Sequence, residues 1–197
     1  MKNIQDLVAK TTKELILDEP FYGLFLIGIN KTYSERIPTA GVSKLGIGMQ
    51  LTINPEFYMN LSLPHRVGLI KHELLHIAFG HLIMRDLYSN HKLFNIAADL
   101  EINQYIDESK LPDGGLILSS FPELNLPRKA GTKVYYNLLE QAEQDGTCPS
   151  LDNLMDQMNG ESEYCHGTWE DFNDLSEPDK KLMQKQVEHQ LKEAAEQ

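Results

Sequence analysis

The residues with the clearest chemical potential are His72-Glu73-Leu74-Leu75-His76, an HExxH arrangement. On a helix, residues four apart share a face, about 40° round and one turn along, so both imidazoles can reach a single ion. Neutral imidazole nitrogen suits zinc, and a catalytic zinc site keeps one position for water. Glu73 stands beside the first histidine, placed to take a proton from that water as it attacks a carbonyl, while the ion lowers the water's pKa towards about 7. The bare pattern arises by chance on the order of once per hundred chains, so its setting decides. That setting is apolar, with Leu69, Ile70, Leu74, Leu75, Ile77, Ala78 and Phe79 around it, which predicts a buried helix. Three polar groups in a buried helix are costly unless a metal or hydrogen-bond partners compensate.

Two histidines require a third protein ligand. Read as a helix, residues 94–106 put Asn95, Asp99 and Asn103 in one stripe beside Ile102 and Ile106. Asp99 is therefore expected to face inward and complete a set with His72 and His76, with Asn103 or Asn95 orienting a ligand from one turn away. The alternative is that Asp99 caps a loop or pairs with Arg66 or Arg85. The same arithmetic turns Glu101 outward, towards solvent. On a continuous helix His81 stands about 140° from His76 and 180° from His72, so it is expected to remain a polar group at the helix end unless the chain breaks at Gly80. His65 and His91 read as surface residues. Cys148 and Cys165 lack metal-ligand spacing and read as free thiols. His166 and Trp169 could close over the cleft as oxyanion donor and wall, but the plainer expectation is that Trp169 anchors the tail to the core and His166 is exposed.

The elements that must position these groups follow from periodicity and punctuation. Residues 4–17 predict a helix ended by Pro20 and Gly23; 25–29 predict a buried strand; 39–43 and 46–53 predict short strands, with Gly41, Gly46 and Gly48 at bends. Ser62 as cap and Pro64 in the first turn open the histidine-bearing helix, which is expected to run through His76 to about Gly80, with continuation to Arg85 as the alternative. Helices are expected over 93–106 and 132–144, a polar stretch of weak periodicity over 146–169, and a charged terminal helix over 177–197. The expected fold class is α+β, a small N-terminal sheet packed on the central HExxH helix with further helices. Residues 1–145 are expected to form the domain, and 146–197 a polar extension packed on it or trailing from it.

The chain has 197 residues and a formal net charge of −11, with no Lys/Arg cluster, which argues against nucleic acid and anionic membrane as partners and leaves proteins and small molecules. The first twenty residues lack the apolar core of a secretory signal, and no run approaches the roughly 18 apolar residues of a membrane span. A soluble cytoplasmic protein is expected.

Taken in order, Pro20-Phe21-Tyr22-Gly23, Thr39-Ala40-Gly41-Val42, Ile53-Asn54-Pro55-Glu56-Phe57, the segment from His72 to His81, Arg85, Asn95-Ile96-Ala97-Ala98-Asp99, Ile102-Asn103, Leu111-Pro112 and Val134-Tyr135 resemble a metallopeptidase family of bacteria and their phages. The longer members of that family append a von Willebrand factor A-like domain. The resemblance runs over roughly residues 4 to 140. It implies a zincin-like fold and carries metal roles onto His72 and His76, the base role onto Glu73, and a third-ligand role onto Asp99. With no A-like segment in this sequence, the resemblance leads to the expectation of a compact phage or prophage form.

The function expected from these readings is a zinc-dependent metallopeptidase, with Zn2+ on His72, His76 and Asp99 and Glu73 as general base. Its substrate would be a peptide or protein, docked by analogy along an edge strand at residues 46–51. The alternatives are another metal-dependent amidohydrolase, whose water chemistry is the same, or a catalytically silent, metal-stabilised binding or assembly protein.

Overall fold

A computed structural model describes residues 3–160, Trp169 and 175–196, with the backbone alone over 157–160. The first helix, α1 (Ile4–Asp18), starts where the Asn3 side chain accepts a hydrogen bond from the Gln5 amide, and it buries Leu7, Val8, Thr11 and Leu15 along one face. The next segment departs from expectation. Helix α1 does end just before Pro20, but Gly23 lies within a helix and 25–29 is not a strand: Pro20–Gly28 is a second helix, α2, with Pro20 in its first turn. Proline is compatible with that position because its missing N–H would have no intrahelical partner there. A continuous apolar run such as PFYGLFLIG carries no period that separates helix from strand. Gly23 lets α2 lie directly on α1, since a Cβ at that position would sit 2.4 Å from Ile16 Cγ1 and 2.6 Å from the Ile16 amide nitrogen.

Three strands follow: β1 (Asn30–Tyr33), β2 (Ala40–Leu45) and β3 (Gly48–Ile53). The order is β1-β3-β2, with β1 parallel and β2 antiparallel to β3. Gly46, at φ +61°, makes the β2–β3 turn, a conformation glycine adopts without a Cβ clash. Strand β1 was not anticipated, because Asn-Lys-Thr-Tyr shows no apolar alternation to read. Asn54 then caps α3 (Pro55–Asn60), accepting from the Glu56 and Phe57 amides.

Helix α4 (Leu63–Ala78) opens as its sequence predicts, with Ser62 Oγ accepting from the His65 amide. Residues Val67 to Ile77 are buried without interruption, so α4 is the central rod of the molecule. Two contacts set its position. Gly68 meets the 3₁₀ turn Glu108–Lys110 so closely that a Cβ would fall 1.9 Å from the Lys110 carbonyl oxygen. Lys71 reaches back to Glu19, with Nζ–Oε2 at 2.6 Å, and its ammonium lies 4.7 Å from the Tyr22 ring centroid.

The helix ends close to Gly80, as expected, and does not continue to Arg85. Gly80 takes φ +73°, and the chain bends by 52° between Leu63–Ala78 and His81–Leu87. That second piece comprises α5 (His81–Met84) and a 3₁₀ turn, Arg85–Leu87. Helix α6 (His91–Ile102) is capped by Asn90 and runs into the 3₁₀ turn Asn103–Tyr105. It packs against α4 and against α7 (Thr132–Asp145). Another helix, α8 (Pro149–Gly160), lies within the polar stretch whose periodicity reads as weak. The last, α9 (Glu177–Glu196), buries Met183, Val187 and Ala194 and contacts α2, α4 and β3.

The fold class is therefore α+β, mostly helical around a small three-stranded sheet. Among the described residues no single helix is long and apolar enough to cross a membrane.

Candidate metal centre

His72 and His76 lie one turn apart on α4, and Asp99 lies on α6, the helix packed beside it. Their side chains converge. The two Nε2 atoms stand 3.0 Å apart, His76 Nε2 is 3.2 Å from Asp99 Oδ1, and His72 Nε2 is 3.6 Å from the same oxygen. Tetrahedral bonds of about 2.0–2.1 Å would put ligand atoms about 3.3 Å apart, so these separations fit three corners around one small cation. Among the described residues, His72, His76 and Asp99 form a group whose ligand atoms all lie within 4.8 Å of one another. His76 is fully buried, while the His72 and Asp99 side chains keep 10% and 13% of their surface, so the centre is reached from their side.

Each histidine is held from behind. His72 Nδ1 faces Asn103 Oδ1 at 2.8 Å, and the Asn103 amide nitrogen donates to the Leu116 carbonyl at 2.8 Å. The second bond fixes which end of the amide meets the ring, so Asn103 presents an acceptor and His72 Nδ1 carries the proton. Asn103 rather than Asn95 meets an imidazole; Asn95 Oδ1 is buried with no hydrogen-bond partner among the described residues. Arg66, one of the cations weighed as a partner for Asp99, donates instead to the Tyr58 and Met59 carbonyls.

His76 Nδ1 stands 2.9 Å from His81 Nδ1. The break at Gly80 swings His81 back towards α4, where it is fully buried. Its other nitrogen, Nε2, faces Thr132 Oγ1 at 3.0 Å and Glu101 Oε2 at 3.3 Å. Thr132 donates to the same carboxylate oxygen from its hydroxyl and, at 2.8 Å, from its backbone amide. Burial raises the Glu101 pKa, but the hydrogen bonds from His81 and Thr132 outweigh it and leave the carboxyl below its ordinary value. Glu101 is thus not the solvated residue expected. The far side of α6 faces α7, so turning away from the ligand stripe leads to another helix rather than to water.

Glu73 is 1% exposed. Its pKa is pushed up to about 8, first by burial and then by the charge of Asp99, with a backbone hydrogen bond at Val42 on β2 acting the other way. Glu73 Oε1 has no hydrogen-bond partner among the described residues.

Trp169 is fully buried, as the anchoring reading expected, but its place is on the centre itself: its ring lies edge-on to His76, centroids 4.8 Å apart, and 6.3 Å from Phe94. His166 and Cys165 lie outside the described residues. Cys148 is a buried free thiol. His65 and His91 are half-buried and are not part of the ligand group. The expected docking strand needs correction too: β3 is paired on both sides and is not an edge. The edges are β1 and β2, and β2 is the one against α4.

A family model described as "Putative metallopeptidase domain" matches residues 5–197. The chain belongs to this family. Comparison with curated proteins and with solved structures gives no match. Family membership supports a metal-dependent peptidase in general terms, and the His72, His76 and Asp99 cluster supplies a donor set suited to a divalent metal ion.

Proposed function

We propose that this metallopeptidase-family protein is a zinc peptidase of zincin-like design, with His72, His76 and Asp99 as the metal ligands and Glu73 as general base. The observation that carries the reading is the convergence of two imidazole nitrogens and one carboxylate oxygen, from two helices, within 3.0 to 3.6 Å of one another. Two imidazoles and a carboxylate form a recognised catalytic zinc set that leaves a fourth position open. When bound, the ion supplies Lewis acidity, which acidifies water to near neutrality and polarises a substrate carbonyl.

The rest is done by side chains. Asn103 holds His72 in the tautomer that carries its proton on Nδ1 and leaves Nε2 unprotonated, as a metal ligand must be. Glu73 has the carboxyl for proton transfer: it takes a proton from the water that adds to the peptide carbonyl carbon and delivers it to the amine as the C–N bond breaks. Its buried setting favours this work, because a carboxylate kept from water and poised near neutral pH both accepts and returns a proton readily. Helix α4 and the Trp169 ring enclose the His76 side and keep bulk water from it. On the sheet, β2 is the edge nearest α4 and the candidate strand for pairing with an extended peptide.

Replacing Glu73 with Gln tests the reading. The Glu73→Gln protein is expected to bind one zinc per chain as the wild type does, while its turnover of a peptide library falls by about 10²- to 10⁴-fold. Zinc in both proteins with no peptide turnover in either would contradict peptidase function.

A further inference from the structure

Behind the ligand set lies a line of groups that the hydrolytic reading does not use: His81, Glu101 and Thr132, from three different elements. From the geometry we infer that His81 is a positioning residue for the metal centre, locking His76 in its Nδ1–H tautomer and tying it to the Glu101 carboxylate. The inference rests on the proposal that His76 is a metal ligand.

The argument follows hydrogen-bond polarity. His76 Nε2 is the atom that meets His72 and Asp99, so as a ligand it must be unprotonated, and a neutral His76 then carries its proton on Nδ1. That proton points at His81 Nδ1, 2.9 Å away, which must accept. His81 accordingly carries its own proton on Nε2, where a carboxylate oxygen waits at 3.3 Å and the Thr132 hydroxyl oxygen at 3.0 Å. An ionised carboxylate only accepts, and Glu101 Oε2 also receives the Thr132 hydroxyl and amide. Every donor in the line therefore points the same way, from His76 through His81 to Glu101. The opposite polarity would place a proton on His76 Nε2, facing the other ligand atoms.

The two ligand histidines are thus supported differently. His72 leans on a neutral amide, whereas His76 leans on a second imidazole whose far end rests on a charge. Partners of this kind fix ring orientation and raise ligand basicity, and their loss commonly costs about 10- to 100-fold in metal affinity. The chain bend at Gly80 is what makes the contact: without φ +73° there, His81 would continue round α4 and face away.

The experiment uses the full chain and zinc alone. Zinc affinity is measured by competition with a chromophoric chelator for wild type, His81→Leu, His81→Gln and Glu101→Gln, and imidazole tautomers are read by long-range 1H–15N NMR on zinc-loaded wild type. His81→Leu should weaken zinc binding about 10- to 100-fold. His81→Gln, which offers an amide oxygen to the His76 Nδ1–H as Asn103 does to His72, should recover much of that loss. A residue that merely fills space would show no such ranking, since neither replacement has the imidazole's shape. In wild type, His76 should appear protonated on Nδ1 and His81 on Nε2, a readout that survives even if a variant fails to fold. His76 protonated on Nε2, or His81→Leu binding zinc as tightly as wild type, would overturn the inference while leaving the ligand set standing. Wild-type protein that takes up no zinc would overturn both.

Discussion

At the scale of single residues, the feature with the largest consequence is the burial of Glu73 beside Asp99. A carboxyl whose folded pKa lies at about 8, against an ordinary value of 4.5, binds its proton more tightly in the folded chain than in the unfolded one. Its contribution to stability is therefore fully present below about pH 4.5 and is lost as pH rises towards 8, the reverse of a salt-bridged acid. In chelator-treated protein, the urea midpoint is expected to fall between pH 5 and pH 8 on this account, and Glu73→Gln should flatten that fall. An equal slope in the two proteins would show that Glu73 does not carry it. The residues of the HExxH segment, Asp99 and Asn103 could be picked out from the sequence because helical spacing alone places them. His81 and Glu101 could not be placed in the same way. His81 depends on one backbone angle at Gly80, and Glu101 depends on what packs behind α6, and neither is encoded in the local period.

At the scale of elements, the centre depends on how α4 is seated, because α6 supplies the acid and α4 the imidazoles. Gly68 is the tightest point of that seating. Ala at this position puts a methyl where the Lys110 carbonyl oxygen lies, and overpacking against backbone costs about 1–3 kcal/mol. Gly68→Ala is expected to lower unfolding stability by about that amount in urea titrations, whereas unchanged stability would mean that the 3₁₀ turn moves aside freely. Strong local signals were legible: the Ser62 cap, the long apolar run of α4, and the sheet turn at Gly46. Three elements were misread or missed for physical reasons. Helix α2 is apolar on every side and begins with a proline, β1 is polar and gains its place only by pairing with β3, and in α8 the short apolar stripe of Leu151, Leu154 and Met155 is outnumbered by the polar residues around it.

At the scale of the whole molecule, the candidate ligands come from segments 23 residues apart, Asp99 from His76, and they meet only because α4 and α6 are packed together. An unfolded chain does not hold them in place, so zinc binding should be linked to folding. At a free zinc concentration of 100 times Kd the folded state gains about 2.7 kcal/mol. Thermal unfolding of chelator-treated protein is thus expected to move upward on adding zinc, and Asp99→Ala should abolish most of the shift. Helix α9 shares in this integrity, since Met183 and Val187 are buried and it contacts α2, α4 and β3.

The most direct measurement is X-ray absorption at the zinc edge on the zinc-loaded full chain, with zinc content measured on the same sample. Two imidazole nitrogens and at least one carboxylate oxygen at about 2.0–2.2 Å, one ion per chain, and loss of that signal in His72→Ala and in Asp99→Ala are the predicted results. A first shell containing sulfur or a third imidazole, or zinc retained undiminished when Asp99 is removed, would contradict the proposed metal centre.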